Sequence, residues 1–427
     1  MFPQTPRCGK FGFSMRTHAA VLILVVALGI SQAAAAEPAL RAGAARVDIT
    51  PAVNAALPMS GYSSRTEGFK AIHDPIYVRA VALEDGPVKA AIVVADVIGF
   101  PHALWEKITR RITEQAGIPG ENILLAGTHS HAAPDPRNPA WAAKLEESVP
   151  EAVRRAQANL QPARVGFGAG RANVNINRRA RTADGGWWLG LNPDGTSDKT
   201  VAVVKFANPA GEPIAIFSNY AVHGTVTGPR NYEISGDLPG AAARFVEKHY
   251  GDRVVAPWTS GAAGDQNAIY GPGTDFSQVE VLGQILGEEI VRVAGGIKPS
   301  RDARIRGAQK VVSCPGRRLA PGFKPRATKH EWVDADPVEI RLSLLRIGNI
   351  ALAGVSGEVL TMIGQRLKKE SRLPATMMLT HCNGSSGYLP DDAAYQQVSY
   401  EITTARVKPG CAEKAIASGL VDMIRAR

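Results

Sequence analysis

Short apolar runs alternate with longer amphipathic segments along most of the chain. The short runs are rich in valine, isoleucine and alanine and predict buried strands, whereas the longer segments repeat their apolar positions at the spacing of a helix. The predicted strands cover residues 45–49, 76–83, 90–96, 123–126, 164–167, 201–206, 214–218, 254–257, 305–312, 338–347, 350–355 and 377–380. The predicted helices cover residues 103–116, 140–160, 240–250, 276–294, 359–371 and 411–426. This alternation predicts a single mixed α/β domain with a large buried sheet system.

The segment at residues 315–336 interrupts this alternation. It is rich in proline, glycine and charged residues. A long segment of that kind is either a boundary between two halves of the domain or a flap over an active site. The sequence contains no internal repeat and no low-complexity linker that we could identify.

The first 36 residues have the composition of a secretory signal. Three basic residues, Arg7, Lys10 and Arg16, precede an apolar run at residues 19–30 and a row of alanines that ends at Ala36. The run is too short to span a bilayer comfortably, so it predicts a signal that is cleaved after Ala36. We therefore expect a periplasmic or secreted protein with its catalytic domain at residues 37–427.

The chain is mildly basic. Its formal net charge of +10 falls to +7 without the three basic residues of the predicted signal, because residues 1–36 hold no acidic residue. Positive charge favours anionic surfaces such as membrane headgroups, so peripheral membrane contact stays open. No basic block or nucleic-acid-binding motif is present, and we expect no nucleic-acid partner.

The four cysteines are too few for a disulfide scaffold, and Cys8 lies in the predicted signal. Of the remaining three, Cys382 and Cys411 are the favoured pair over Cys314, because both lie in the C-terminal segment and export permits oxidation. The sequence leaves the connectivity open.

Two histidines follow an apolar strand in the run Thr-His-Ser-His at residues 128–131. Side chains on a strand alternate between its two faces, so His129 and His131 should point the same way. Imidazole is the commonest metal ligand, and the pair predicts the beginning of a metal site. The alternative is a histidine that caps the strand end beside an exposed one.

Four further strands also run out into polar loops. These loops contain His223, the run at residues 258–267, Glu358 and the run at residues 381–388. Strand ends are the usual place for chemistry in α/β folds, so these loops could join His129 in one site. Each loop alone fits a turn or a helix cap equally well.

Several motifs, in order and spacing, resemble the catalytic N-terminal domain of the neutral ceramidases, which are zinc amidases that cleave N-acylsphingosine. Residues 43–51 resemble the family's first strand, and residues 127–131 resemble its Gly-Thr-His-Thr-His motif. Residues 221–225 resemble its second histidine motif, and residues 357–361 resemble its Gly-Glu-Phe-Thr-Thr motif. Tyr388, Tyr395 and Tyr400 resemble the tyrosines that follow in the family. The similarity runs from about Arg41 to the C-terminus.

The resemblance implies a zinc ion bound by His129, His223, Glu358 and Tyr388. Such a ligand set keeps zinc Lewis acidic, and zinc-activated water would then attack the amide of a lipid or small-molecule N-acyl substrate. The three remaining catalytic roles that it implies are a transition-state partner at His131, a substrate-orienting cation at Arg178 and a hydrogen-bond donor at Tyr400.

The chain departs from the family at two places. Asn267 stands where the family has a serine proposed as the nucleophile. If that serine is essential, the protein is inactive as a ceramidase; if zinc-bound hydroxide is the nucleophile, which we favour, Asn267 orients the substrate or the water. The family's C-terminal immunoglobulin-like domain is also expected to be absent. The loop with Trp187 and Trp188 differs too, and these side chains either line a sugar or acyl pocket or pack under the loop.

Two other functions remain open on the same motifs. One is a zinc hydrolase that acts on an ester or a carbohydrate-linked amide, and the other is an inactive binding protein that the metal stabilises. His73, Asp96 and Asp237 are candidates for orienting the zinc histidines. The remaining histidines are expected on the surface or in helices: His18, His102, His249, His330 and His381.

Overall fold

The computed structural model describes residues 40–301, 303–326 and 329–426. The predicted signal at residues 1–36 and its cleavage after Ala36 lie outside the described residues. The strands are β1 Arg41–Asp48, β2 Ala71–Ile72, β3 Tyr77–Asp85, β4 Val88–Ala95, β5 Ile123–Gly127, β6 Gln161–Pro162, β7 Arg164–Arg171, β8 Asn175–Arg181, β9 Trp187–Asn192, β10 Thr200–Ala207, β11 Pro213–Tyr220, β12 Glu233–Ile234, β13 Trp258–Ser260, β14 Gln266–Ala268, β15 Ile305–Leu319, β16 Trp332–Ile347, β17 Ile350–Val355, β18 Glu358–Val359, β19 Ala375–Leu379 and β20 Tyr388–Leu389. The helices are α1 His102–Ala116, α2 Pro139–Ala158, α3 Asp237–His249, α4 Phe276–Gly296, α5 Thr361–Ser371, α6 Tyr400–Thr404 and α7 Ala412–Arg425.

Three larger sheets organise the part of the chain that the structure describes. Their strand orders are β5-β4-β3-β1-β6, β13-β11-β10-β7 and β15-β16-β17-β19. In each sheet, three consecutive members pair antiparallel and a fourth strand then pairs in parallel. A parallel neighbour requires a crossover, and the helices α1, α3 and α5 supply it.

The three sheets are therefore one topological unit repeated three times. The first repeat is β1, β3, β4, α1, β5 and α2; the second is β7, β10, β11, α3, β13 and α4; the third is β15, β16, β17, α5, β19 and α7. The repeat that the sequence analysis did not find is therefore present in the topology. The repeats share their strand connections, whereas most of their core residues differ, so no long repeated motif is visible in the sequence.

Each sheet buries both of its faces. One face of every sheet enters a shared central core, to which the three sheets contribute residues such as Val81, Phe217 and Leu352. The other face packs under a helix pair: α1 with α2, α3 with α4, and α5 with α7. Full burial of one such aliphatic side chain contributes about 1.5–3 kcal/mol, which explains why inner strands such as β4 and β17 are nearly continuous apolar runs.

Backbone hydrogen bonds join the three sheets beside their parallel strands. The bonds run from His131 N to Gly224 O (3.0 Å), from Thr380 N to Ser260 O (3.0 Å) and from Asn383 N to Leu125 O (2.8 Å). Each sheet is thus bonded to both of the others, and the loops that follow these strand ends are brought together.

Two of the predicted elements differ from the structure. Residues 254–257 precede the short strand β13 rather than forming a strand. The segment at residues 315–336 is mostly the end of the β15–β16 hairpin, with a bulge between Cys314 and Gly316. Proline and glycine are tolerated at a bulge, which is why their presence did not mark a boundary. The hairpin end is also bonded at Arg317 N to Arg406 O, so it is not a free flap.

The favoured cysteine pair is wrong. The disulfide joins Cys314 of β15 to Cys411, the residue before α7, with their Cα atoms 5.8 Å apart. Cys382 is a buried free thiol in the central core, beside Gly354. Closeness in sequence was a poor guide, because the hairpin end returns to the C-terminal helix across 97 residues.

No helix among the described residues is both long and apolar enough to cross a membrane.

Candidate metal centre

His129 lies just beyond strand β5. The strand ends at Gly127, and the backbone of His129 has a φ of 65°, a left-handed conformation in which histidine is enriched. Its Nδ1 lies 2.7 Å from the carbonyl oxygen of Ile98. Because a carbonyl oxygen can only accept a hydrogen bond, Nδ1 carries the proton and Nε2 presents a lone pair.

His223, in the second repeat, is also oriented by a backbone carbonyl. Its Nδ1 lies 3.0 Å from the carbonyl oxygen of Gln266, so its Nε2 also presents a lone pair. Glu358 Oε2 lies 3.3 Å from this nitrogen and 3.6 Å from His129 Nε2. Three acceptor atoms therefore face one another.

Such a cluster needs a cation or an added proton between its members. Burial, together with the charge on Arg178, lowers the pKa of His223 to about 3. Burial opposes ionisation of Glu358, yet its contacts with His129 and His223 hold its pKa well below the usual value. A neutral imidazole facing a carboxylate in this way fits a bound divalent cation better than a proton.

The donor atoms form two overlapping groups among the described residues. The ligand atoms of His129, His131 and His223 lie within 4.8 Å of one another, and so do those of His129, Glu358 and His381. Imidazole nitrogen and carboxylate oxygen are the donors that zinc accepts in catalytic sites. The residues present therefore fit a zinc-type ion.

His131 approaches the other histidines through a turn rather than along a strand. Its Nε2 lies 3.2 Å from His129 Nε2, with the two rings nearly perpendicular at 86°. The two imidazoles do reach the same point, as expected, but strand alternation is not the reason, because the strand has already ended at Gly127. Its Nδ1 is buried and has no hydrogen-bond partner among the described residues.

Tyr388 and Arg178 form a second, adjoining part of the site. Tyr388 pairs in register with Glu358 between β20 and β18. Arg178 Nη2 donates to the Tyr388 hydroxyl at 2.8 Å, and Arg178 Nε donates to Glu401 Oε1 at 2.7 Å. The carboxylate of Glu401 is fully buried, and together with Tyr388 it keeps the pKa of Arg178 above its usual value despite burial.

Tyr400 and Asn267 border the same arginine. The Tyr400 ring packs edge-on against Tyr388 at 5.7 Å and against Trp188 at 5.9 Å. Asn267 Oδ1 accepts a hydrogen bond of 3.4 Å from Arg178 Nη1. All eight residues that the sequence analysis assigned to the site therefore lie in one connected cluster: His129, His131, Arg178, His223, Asn267, Glu358, Tyr388 and Tyr400.

His381, expected on the surface or in a helix, also lies in this cluster. It is buried, and its ring stacks on His129 with the centroids 3.7 Å apart. His129 and His381 each follow a threonine, lie two residues after the parallel strand of their repeat, and have a positive φ. The repeated Thr-His pair at the two strand ends was a signal in the sequence for His381.

The third strand of each repeat also places a site residue at a fixed distance beyond its end. Ile98, His223 and Glu358 lie three residues after β4, β11 and β17, respectively. The first supplies the carbonyl that orients His129, and the other two supply the facing donor atoms. The three-fold topology thus delivers equivalent positions to one point.

The three predicted orienting residues do not contact the site histidines. Their partners are Asp74 for His73, Arg79 for Asp96, and the backbone N–H groups of Val226 and Thr227 for Asp237. The hypothesis is wrong in each case, because backbone carbonyls already fix the two Nδ1 atoms.

Comparison with known proteins supports the motif resemblance. The sequence model described as "Neutral/alkaline non-lysosomal ceramidase, N-terminal" matches residues 40–272, more than half of the chain. The chain belongs to this family. The resemblance predicted from the motifs is confirmed.

Curated relatives include neutral ceramidases of Drosophila pseudoobscura pseudoobscura and Pseudomonas aeruginosa. The first is 27% identical over 54% of this chain and 35% of its own length, and the second is 28% identical over 54% and 37%. The match thus spans about a third of the length of each relative.

A crystal structure of the neutral ceramidase from Pseudomonas aeruginosa shares the fold. It superposes with a TM-score of 0.72 at 20% identity, covering 90% of this chain and 74% of that chain. The mixed α/β fold predicted from the sequence is confirmed.

Proposed function

We propose that the protein is a zinc-dependent hydrolase that cleaves the amide bond of an N-acylsphingosine or a related N-acyl lipid. The observation that carries the proposal is the meeting of the His129 and His223 lone pairs with the Glu358 carboxylate. Family membership supports the substrate class, since the relatives are named neutral ceramidases.

We assign the zinc ligands to His129, His223, Glu358 and Tyr388, and His131 and His381 are close enough to contribute a donor. When bound, zinc supplies a Lewis acid that polarises a carbonyl group and makes water more acidic. Fixed orientation of the imidazoles by the Ile98 and Gln266 carbonyls directs their donor atoms before an ion arrives.

Three side chains near the proposed metal site have further roles in catalysis. Arg178 is held between Tyr388 and Glu401, so it presents a fixed positive charge that can orient the substrate and stabilise an oxyanion. Tyr400 can donate a hydrogen bond near the scissile group. Burial and the neighbouring His129 hold the pKa of His131 well below its usual value, so His131 starts neutral; it can take a proton from the attacking water and pass it to the leaving amine.

The residue at position 267 bears on whether the nucleophile is a side chain or a water molecule. An amide side chain cannot attack a carbonyl, so a covalent intermediate at this position is excluded on chemical grounds. Its contact with Arg178 suits an orienting role toward substrate or water. Water is therefore the nucleophile that we propose.

We further propose that the protein is periplasmic or secreted after cleavage behind Ala36. Expression of the full chain in a Gram-negative host, fractionation and N-terminal sequencing test this. A mature chain that begins at Glu37 is expected, and an unprocessed chain in the cytoplasm would contradict it.

The zinc proposal is tested by elemental analysis and by fatty-acid release from labelled ceramide. Wild type should carry about one zinc per chain, and His129→Ala should lose both the zinc and at least about 100-fold in rate, since one ligand is removed. His249→Ala is the control, because His249 is exposed at the end of α3. Full zinc content in His129→Ala would overturn the ligand assignment. Zinc-bound protein that cleaves an ester but not ceramide would overturn the substrate.

A further inference from the structure

A polar cavity lies on the hairpin β15–β16, outside the residues assigned to the metal centre. It has a volume of about 370 Å³. Its charged lining consists of Arg317, Arg318, Arg341, Arg406, Asp336 and Glu339. Four guanidinium groups against two carboxylates leave a net charge of +2 on this lining at neutral pH.

Two of these arginines are held rigidly by aromatic rings. The Arg317 guanidinium lies 3.6 Å from the centre of the Trp332 ring and 4.7 Å from that of Tyr395. The Arg341 guanidinium lies 4.2 Å from the centre of the Trp105 ring. Stacking fixes the plane of each guanidinium and keeps its donors pre-organised for a planar or tetrahedral anion.

The same two arginines lack partners for part of their donor set. The Nε atoms of Arg317 and Arg341 are buried without a hydrogen-bond partner among the described residues. Arg317 as a whole is only 7% exposed. Burial lowers the pKa of both groups, which is the direction expected for cations that lack a counter-ion. A buried unpaired N–H group is costly, so each such group in a folded protein needs an explanation, and a bound water or anion at the cavity supplies one.

No carboxylate within the described ranges lies at salt-bridge distance from any of the four arginines. Asp334, which is opposite Arg317 in the hairpin, pairs with Lys408 instead, whereas Asp336 and Glu339 form no ion pair within the described ranges. Arg318 and Arg406 are exposed, so they can close over a ligand that enters from solvent. Ser385 adds an exposed hydroxyl to the rim.

We propose that this cavity is a binding site for a phosphate- or sulfate-type anion. Arginine is the residue that recognises such groups through paired N–H donors, and four arginines converge here. The anion is either free in solution or the headgroup of an anionic lipid. The inference is independent of the metal centre and of the reaction proposed there.

Calorimetric titration of the full chain with inorganic phosphate tests the proposal, with sodium chloride at matched ionic strength as the reference. Wild type should bind phosphate with about one site per chain. Arg318→Gln/Arg406→Gln should weaken the binding at least about tenfold, because two charge-assisted contacts are lost from exposed positions. Arg154→Gln/Arg155→Gln removes two charges from an exposed face of α2 and should bind as wild type does.

A second variant adds charge instead of removing it. Ser385→Asp places a carboxylate at the cavity rim and should also abolish phosphate binding, while circular dichroism verifies the fold. Flotation with phosphatidylcholine vesicles that contain phosphatidic acid identifies the source of the anion. Vesicle binding that phosphate competes away assigns a headgroup, and phosphate binding without vesicle binding assigns a free anion. Equal phosphate binding by wild type and the Arg318/Arg406 variant, or no binding of either probe, would overturn the site.

Discussion

Gly61 lies directly behind the imidazole of His131. Its φ is 94°, and a Cβ atom added there would lie 2.2 Å from His131 Nδ1. We predict that Gly61→Ala displaces His131 and lowers ceramide hydrolysis at least about tenfold, because a misplaced catalytic group loses most of its effect. Fatty-acid release under substrate-limited conditions measures this.

Gly211→Ala is the matched control for backbone strain. Gly211 has a similar φ of 91°, but nothing lies within 4 Å of an added Cβ. Both variants should lose about 1–2 kcal/mol of stability from the left-handed backbone. Only the Gly61 variant should lose activity, and equal rates for the two would refute a role for this contact.

Individual site residues were predictable where a buried strand ran directly into a polar loop. His129, His223 and Glu358 were found in this way, and the structure brings them together. His381 was missed although its strand end repeats the Thr-His pair of residues 128–129, because that likeness has meaning only once the two strands are known to be equivalent. Its stacking against His129 is set by tertiary packing and is not visible in the local sequence.

At the scale of elements, the hairpin β8–β9 forms one wall beside the site. Its edge exposes Leu189 and Leu191, and the Trp188 ring contacts Tyr400. Both tryptophans are half-buried, so each packs in part and keeps some of its surface exposed. A partly exposed apolar edge next to a candidate catalytic tyrosine suits contact with an acyl chain.

We predict that Trp188→Ala raises KM for a long-chain ceramide by about tenfold and changes kcat much less, because apolar contact with the chain is lost. Steady-state kinetics with long-chain and two-carbon ceramides measure this. The short substrate is the internal control, since it cannot reach along the hairpin edge. Equal KM changes for both substrates would argue against an acyl contact.

Elements with continuous apolar runs were predicted well, whereas β8 and β9 were missed. Strand β8 consists largely of asparagine and arginine, which have low strand propensity. It is held instead by remote partners, as Asn177 is by Asp265 and Arg179 by Ser399. Local sequence could not show these contacts.

At the scale of the whole molecule, a buried ion pair connects the first repeat with the second. Glu247 of α3 accepts a hydrogen bond of 2.8 Å from Arg79 Nε of β3, and both side chains are almost fully buried. Burial raises the pKa of Glu247, but Arg79, the N–H group of Ala256 and Arg46 together outweigh this, and the net pKa lies below the usual value of 4.5.

We predict that Glu247→Gln lowers the free energy of unfolding at pH 7 by about 3–5 kcal/mol, since Arg79 loses a buried partner. A carboxylate with a lowered pKa in the folded state stabilises the protein above its unfolded pKa, and this contribution is lost as the pH falls through the folded value. The difference between wild type and variant should therefore narrow below about pH 4.5. Urea unfolding across this range measures it.

Glu151→Gln is the control, because Glu151 pairs with two arginines on the exposed face of α2. Its effect should stay within about 0.5–1 kcal/mol at neutral pH. If Glu247→Gln lowered the free energy of unfolding no more than this control does, the ion pair would contribute little to the packing of the two repeats.

The mixed α/β architecture followed from the sequence, but the three-fold arrangement did not. The periodicity of a strand predicts which of its residues are buried, but it does not predict which sheets pack against one another. The bonds from His131 to Gly224, from Thr380 to Ser260 and from Asn383 to Leu125 join segments far apart in the chain.

Those bonds between the sheets also bear on how the protein is made. The candidate metal ligands come from all three repeats, so a growing chain that has left the ribosome only as far as Thr380 lacks His381 and Tyr388. Fragments released by proteolysis between the repeats would be incomplete in the same way. The proposed ion site is thereby complete only in molecules that have been synthesised and assembled to the last repeat.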